Sequence, residues 1–221
     1  MSDQPSDELH RLRQGCYRLL AAGFEPVSDE FLAIAGDSLT VLDGIGLFDF
    51  AFGPHLAGAL RRFAESDGSE LRGAYVELFE TGTRGEVFAL RETAHLGDPR
   101  TGDTARILAE LRECYERFGL EATTPPGQLD HVSTELGVMA ALCGATVGLG
   151  AREQDLAVVL GHQAAFAREH VLRWVPRLGR RLVEAAAHPT YAALGAATLA
   201  FLEHERQHVP ILVGLEAGTD R

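Results

Sequence analysis

The residues best spaced for catalysis in this 221-residue chain are His204-Glu205-Arg206-Gln207-His208. Two imidazoles four positions apart sit one helical turn apart, where they can hold zinc while Glu205 takes a proton from a bound water. A catalytic zinc usually takes three protein ligands, and beyond the helix-breaking Pro210 only Glu216 offers a nearby acid. Two readings stand: a zinc-dependent hydrolase using His204, His208 and Glu205, or two histidines at the solvated end of a helix, where positive charge is favoured. Other catalytic signatures are missing, with no G-x-x-x-x-G-K-[ST] run, no G-x-G-x-x-G after a strand and no G-x-S-x-G elbow. Cys16, Cys114 and Cys143 are widely spaced and form no C-x-x-C pair, so neither a disulfide framework nor a thiolate zinc site is indicated. A reducing compartment suits them. Cys114 falls on the apolar stripe of its helix and reads as packing rather than as a nucleophile.

Three other segments carry binding chemistry. Tyr75-Val76-Glu77-Leu78-Phe79 ends a helix just before a long loop; Leu129 to Leu136, reading LDHVSTEL, follows a Pro-Pro-Gly turn; Phe166 to Pro176 reads FAREHVLRWVP. Each also has a plain structural explanation: Leu78, Phe79 and Trp174 as core, and Asp130 as a helix N-cap with Glu135 in the early turns.

The elements that must hold these residues are helical. Ala and Leu supply 31 residues each and Ile only four, so the apolar content comes in side chains that lose little freedom in a helix. Ile107, Leu108, Leu111, Cys114, Tyr115 and Phe118 repeat at helical spacing between a capping Asp103 and a terminating Gly119. Residues 7–22, 69–80 (capped by Ser69), 129–143 and 154–172 behave the same way, the last running to Trp174 before Pro176 forces a bend or a new start. A final helix is predicted from Pro189 to a point before Pro210, with the last dozen residues frayed. Between these lie a Gly-rich link over 36–54, a loop over 81–102 and a hinge over about 121–130 containing Thr123-Thr124-Pro125-Pro126-Gly127. The pattern predicts one all-α helical bundle over residues 1–221.

Charge narrows the partners. With 32 Asp+Glu against 20 Lys+Arg the net charge is −12, the wrong sign for nucleic acid or an anionic membrane and the right one for a cationic partner. Neither a secretory signal nor a membrane-spanning run is evident.

Taken in order, the segments resemble the TorD/DmsD/NarJ family of redox-enzyme maturation chaperones. The likeness runs from an N-terminal RxxxYRLLAAGF helix containing Tyr17, through Y-x-x-L-F at Tyr75 to Phe79 and YERFGL from Tyr115 to Leu120, to DH-x-x-x-E-L at Asp130 and EHVLRW-x-P ending at Pro176. Where the family commonly shows Glu-Pro-Asp-His, this chain reads Gln128-Leu129-Asp130-His131, and Phe88 to Thr93 replaces the usual short pattern near a Pro. The resemblance implies a TorD-like all-α cytoplasmic chaperone that is not an enzyme and carries no cofactor of its own. It would bind the N-terminal leader, of twin-arginine type or its remnant, on the catalytic subunit of a molybdenum oxidoreductase, and assist cofactor insertion and assembly before export. By motif, the leader-binding positions are Tyr75, Leu78, Phe79, Asp130, His131 and Glu135. An apolar groove rimmed by acid, here Glu77, Glu80, Asp130 and Glu135, suits a leader that pairs arginines with an apolar run. The expected state is a monomer, or a dimer that exchanges its C-terminal helices across the hinge.

Overall fold

The computed structural model describes residues 5–82, 85, 87–98, 100–120, 127–149, 153–185 and 188–217. Ten α-helices account for most of them: α1 Pro5–Gly23, α2 Asp29–Gly44, α3 Gly53–Glu65, α4 Gly68–Tyr75, α5 Glu92–Leu96, α6 Asp103–Phe118, α7 Val132–Thr146, α8 Glu153–Phe166, α9 Leu172–Ala185 and α10 Pro189–Ala217. The all-α class expected from Ala and Leu content is what the chain adopts. The longest helix, α10, packs along α9 and α3, while α1 lies against α7 and α8 closes on both α7 and α10.

Each helix buries the stripe its spacing implies. Leu12, Cys16, Tyr17 and Leu20 of α1 are buried, as are Ile107, Leu111 and Tyr115 of α6. At the end of α6, Gly119 takes the left-handed conformation (φ +68°), and the Leu120 N–H reaches back to the Tyr115 carbonyl at 2.8 Å. Helices α9 and α10 approach through Gly179 and Gly195, where a Cβ on Gly195 would stand 2.6 Å from the Gly179 carbonyl oxygen.

Several expected boundaries move. The link over 36–54 is helical to Gly44, because Ser28 caps α2 and Phe31, Ala35 and Leu42 form a buried stripe that the glycines and polar residues obscure. It is followed by a short 3₁₀ turn and by α3, whose Leu56, Ala57, Leu60 and Phe63 supply core that the pattern search passed over. The cap of α4 is Asp67, whose carboxylate accepts from the Ser69 and Glu70 N–H groups, not Ser69. Asp103 is the first residue of α6 rather than its cap, a place held by Gly102. The α7 cap is His131 rather than Asp130, whose carboxylate is spent on the preceding loop. Pro176 sits inside α9, and the irregularity lies upstream as a π-helical turn over Ala167–Val171. Finally, α10 continues through Pro210 to Ala217.

The loop over 81–102 is also more ordered than a bare connection. It contains α5, and an antiparallel bridge pairs Arg91 with His131. The Val132 N–H donates to the Leu90 carbonyl and the Glu92 N–H to the Asp130 carbonyl, both at 2.9 Å. The hinge residues 121–126, including Thr123 to Pro126, lie outside the described residues. Among the described residues, no helix is long and apolar enough to cross a membrane.

Candidate functional site

Where α4 ends, the chain widens into a π-helical turn over Val76–Thr81, and Gly82 closes it with a left-handed φ of +60° and an N–H bonded to the Glu77 carbonyl. This turn swings Tyr75, Phe79 and Glu80 into the wall of an open cavity of about 370 Å³. The opposite walls come from Glu25 and Pro26 after α1, from Ala89 to Arg91 and Ala94, and from Gln128 and His131. The Tyr75 and Phe79 rings stand 5.0 Å apart, and Phe79 meets Tyr191 edge-on at 5.3 Å, so the aromatic wall is braced from α10. Burial, then the carboxylates of Glu25 and Glu80, push the Tyr75 phenol up to about 12. The phenol therefore stays protonated, with two acids beside it.

The bridge between Arg91 and His131 fixes the other side. Arg91 is about half exposed and donates to Asp130 Oδ1 at 2.8 Å and to the Gly127 carbonyl at 2.6 Å, while Thr93 Oγ1 donates to Asp130 Oδ2. His131 Nδ1 lies 2.6 Å from Ser133 Oγ, whose hydroxyl donates to Glu25. Burial, with Arg91 adding to it, outweighs Glu25 and Asp130 and holds the imidazole below its ordinary value, hence neutral at pH 7.

Below this cavity runs a buried polar network. Trp174 Nε1 donates to Glu135 Oε2 at 2.9 Å, and His170 Nδ1 meets Glu92 Oε2 at 3.0 Å. The other carboxylate oxygens of Glu92 and Glu135 have no partner among the described residues. Burial first, and then the neighbouring Glu92, raise the Glu135 carboxyl well above its usual range. His170 moves the other way from what burial alone dictates: hydrogen bonds to Cys114 and Glu92 overcome the burial and raise it to about 9.

The six positions carried over by motif therefore separate. Tyr75, Phe79 and His131 line one cavity. Leu78 is buried and contributes its carbonyl to the Phe88 N–H. Asp130 and Glu135 are buried beneath, engaged with Arg91, Thr93 and Trp174. The acids that actually rim the cavity are Glu80 and Glu25. Motif reading missed Glu25, Arg91, Glu92 and His170; the last three lie in segments it had singled out, FALRET and EHVLRW, but no local pattern marks a residue such as Glu92, whose partner is 78 positions away.

The H-E-x-x-H segment resolves differently. His204 and His208 do stack on one face, ring centroids 3.8 Å apart, and His204 packs against Phe50 and Phe52 at 5.0 Å. Glu205 points the other way into the core, where both carboxylate oxygens accept from Arg13 at 2.8 Å and one also accepts from Tyr17. A carboxylate held this way is a structural counter-ion, not a base facing a metal. Among the described residues, no cluster of three metal-ligating side chains is present.

A family model described as nitrate reductase delta subunit matches residues 51–180, more than half of the chain. Among solved structures, the chain is similar in fold to the crystal structure of a protein described as a redox enzyme maturation protein from Archaeoglobus fulgidus, with a TM-score of 0.51 and 18% identity over 86% of this chain and 93% of that one. No curated protein matches the sequence.

Proposed function

Since the chain belongs to the nitrate reductase delta subunit family, we propose that it is a cytoplasmic redox-enzyme maturation chaperone, and that the cavity at Tyr75, Phe79 and His131 receives the N-terminal leader of its client. The client is the catalytic subunit of a molybdenum oxidoreductase, and holding its leader keeps the subunit from export until cofactor insertion is complete. This role requires no catalytic step by the chaperone.

The observation that carries this reading is the pairing of an aromatic wall with Glu25 and Glu80 on one accessible concavity. Apolar leader residues would cover the Tyr75 and Phe79 rings, and an arginine guanidinium would pair with the rim carboxylates in a charge-assisted geometry. The net charge of −12 steers such a peptide toward the protein. Asp130 and Glu135 act at one remove: Asp130 holds Arg91, and Glu135 holds Trp174.

Calorimetric titration with synthetic leader peptides at two salt concentrations tests this directly. Saturable binding that weakens with salt and falls by about tenfold in a Glu25→Lys, Glu80→Lys variant supports the reading, since two partly exposed charge contacts contribute on the order of 1 kcal/mol together. Binding untouched by the double reversal would remove the cavity as the leader site.

A further inference from the structure

A second cavity, of about 310 Å³, opens between α6 and the π-helical turn that leads into α9, and its wall contains Cys114 and His170. The two are not isolated. His170 is buried, its Nδ1 lies 3.0 Å from Glu92 Oε2, and the ring shares the cavity wall with Cys114. Thiol and imidazole thus share one wall, and a carboxylate orients the ring from behind, the companions that a sulfur nucleophile uses. The helical stripe alone assigned Cys114 to packing; the thiol is half-buried at the edge of the core and reaches the cavity.

The rest of the lining decides what such a thiol would meet. Arg106, Arg117 and Arg173 bring three guanidinium groups to the cavity, and Glu110, Glu113 and Glu169 bring three carboxylates. Both signs at close quarters suit a small molecule that itself carries carboxylates and an ammonium group. The α6 arginines are braced in place, Arg106 on Glu110 and Arg117 on Glu113, each at 2.8 Å.

We propose that Cys114, His170 and Glu92 form a thiol–disulfide exchange site whose co-reactant is a small zwitterionic, amino-acid-derived disulfide. In the reaction His170 is the imidazolium, held by Glu92 behind it; the Cys114 proton is lost to solvent, which returns a proton to the ring at the end. The Cys114 sulfur attacks one sulfur of the disulfide, the new S–S bond forms as the old one breaks, and the departing thiolate takes its proton from His170. One thiol is consumed and one released, so no further oxidant is required. Exchange needs access, a sulfur nucleophile and a proton donor for the leaving group, and this cavity wall supplies all three. Cys16 and Cys143 provide internal controls, because both are fully buried and burial pushes their thiols up, Cys143 to about 12.

The experiment is incubation of the folded protein with glutathione disulfide at pH 7, followed over time by intact and peptide mass spectrometry. One adduct per chain, on Cys114 and absent from Cys114→Ser, is expected. Its rate should exceed that with the uncharged disulfide of 2-mercaptoethanol at least several-fold, and should fall about tenfold in His170→Gln. If His170→Gln unfolds, the two-disulfide comparison on the native protein still decides. No adduct on Cys114, or a first adduct on Cys16 or Cys143, overturns the site; equal rates with the two disulfides overturn the proposed class of co-reactant.

Discussion

Replacing Glu205 by Gln removes a charge from one of the most enclosed points of the molecule while leaving its shape. Arg13 and Glu205 are 1% and 0% exposed, and the guanidinium meets both carboxylate oxygens at 2.8 Å in a two-point contact. An amide accepts through one oxygen only, so one guanidinium nitrogen loses its acceptor and the Arg13 charge loses its counter-ion. Breaking a buried pair in this way costs about 3–5 kcal/mol, and the retained Gln contact places the expected loss near the lower end, about 3 kcal/mol. For a chain of this length that corresponds to a fall in Tm of roughly 6–12 °C. The matching Arg13→Met change strands the carboxylate instead and costs a similar amount. Combining Arg13→Met with Glu205→Leu, and Tyr17→Phe to remove the orphaned hydroxyl, restores stability to within about 2 kcal/mol of the parent, because no buried charge remains. Urea unfolding at pH 7, followed by circular dichroism across the full cycle, measures the coupling directly. Single variants within about 0.5 kcal/mol of the parent, or losses that simply add, would refute the counter-ion role. They would also reopen Glu205 as a base in the H-E-x-x-H reading, where Glu205→Gln removes catalysis and leaves stability alone.

Two further perturbations follow from other parts of the fold. The Glu135 carboxyl ionises near 4.5 when unfolded and well above that when folded, so the folded chain keeps a proton that the unfolded chain releases. Its contribution is therefore full at low pH and declines as pH rises above 4.5, by up to about 1.4 kcal/mol per unit until the folded value is passed. Glu135→Gln still accepts from Trp174 and lacks this slope, so its stability relative to the parent should improve between pH 5 and pH 8 in urea titrations; parallel curves would refute the assignment. Gly195→Ala places a Cβ against the Gly179 carbonyl oxygen and must part α9 from α10, costing about 1–3 kcal/mol, whereas Gly58→Ala, with open space at its Cβ, should cost nothing and can gain a few tenths. Thermal unfolding of the two variants side by side checks both signs.

The helical class was legible because it depends on sums, the Ala and Leu content and the recurrence of buried stripes such as Ile107, Leu111 and Tyr115. Boundaries were less so, since they depend on single contacts. Asp130 has the right chemistry to cap α7, but Arg91 and Thr93 compete for it, and both arrive from a loop nearly forty residues away. Helix α2 was obscured by its Gly and Asp content, although Phe31, Ala35 and Leu42 keep helical spacing across it. Pro176 misled in the opposite direction. The missing N–H that should break a helix is accommodated in a chain already widened by the π-helical turn before α9.

The site divides along the same line. Residues that made the chain resemble its family, Tyr17, Asp130, Glu135, His170 and Trp174, are among the buried polar groups of the fold. Their partners span great sequence distances: Tyr17 and Arg13 to Glu205, Glu92 to His170, and Glu135 to Trp174. A buried polar group constrains its partner closely, because loss of either member leaves the other desolvated without compensation. Groups on an open rim bear no such constraint, and water replaces a lost contact there. Glu80 is of this second kind, and Glu25 only in part, since it also accepts from Ser133; nothing in the local sequence announces either. Family motifs in this chain therefore report the scaffold that shapes the cavity, and under the proposed function the choice among leaders falls to the rim residues. On this argument, Asp130→Ala should weaken all leaders alike by releasing Arg91, whereas Glu80→Lys should reorder the preference among them.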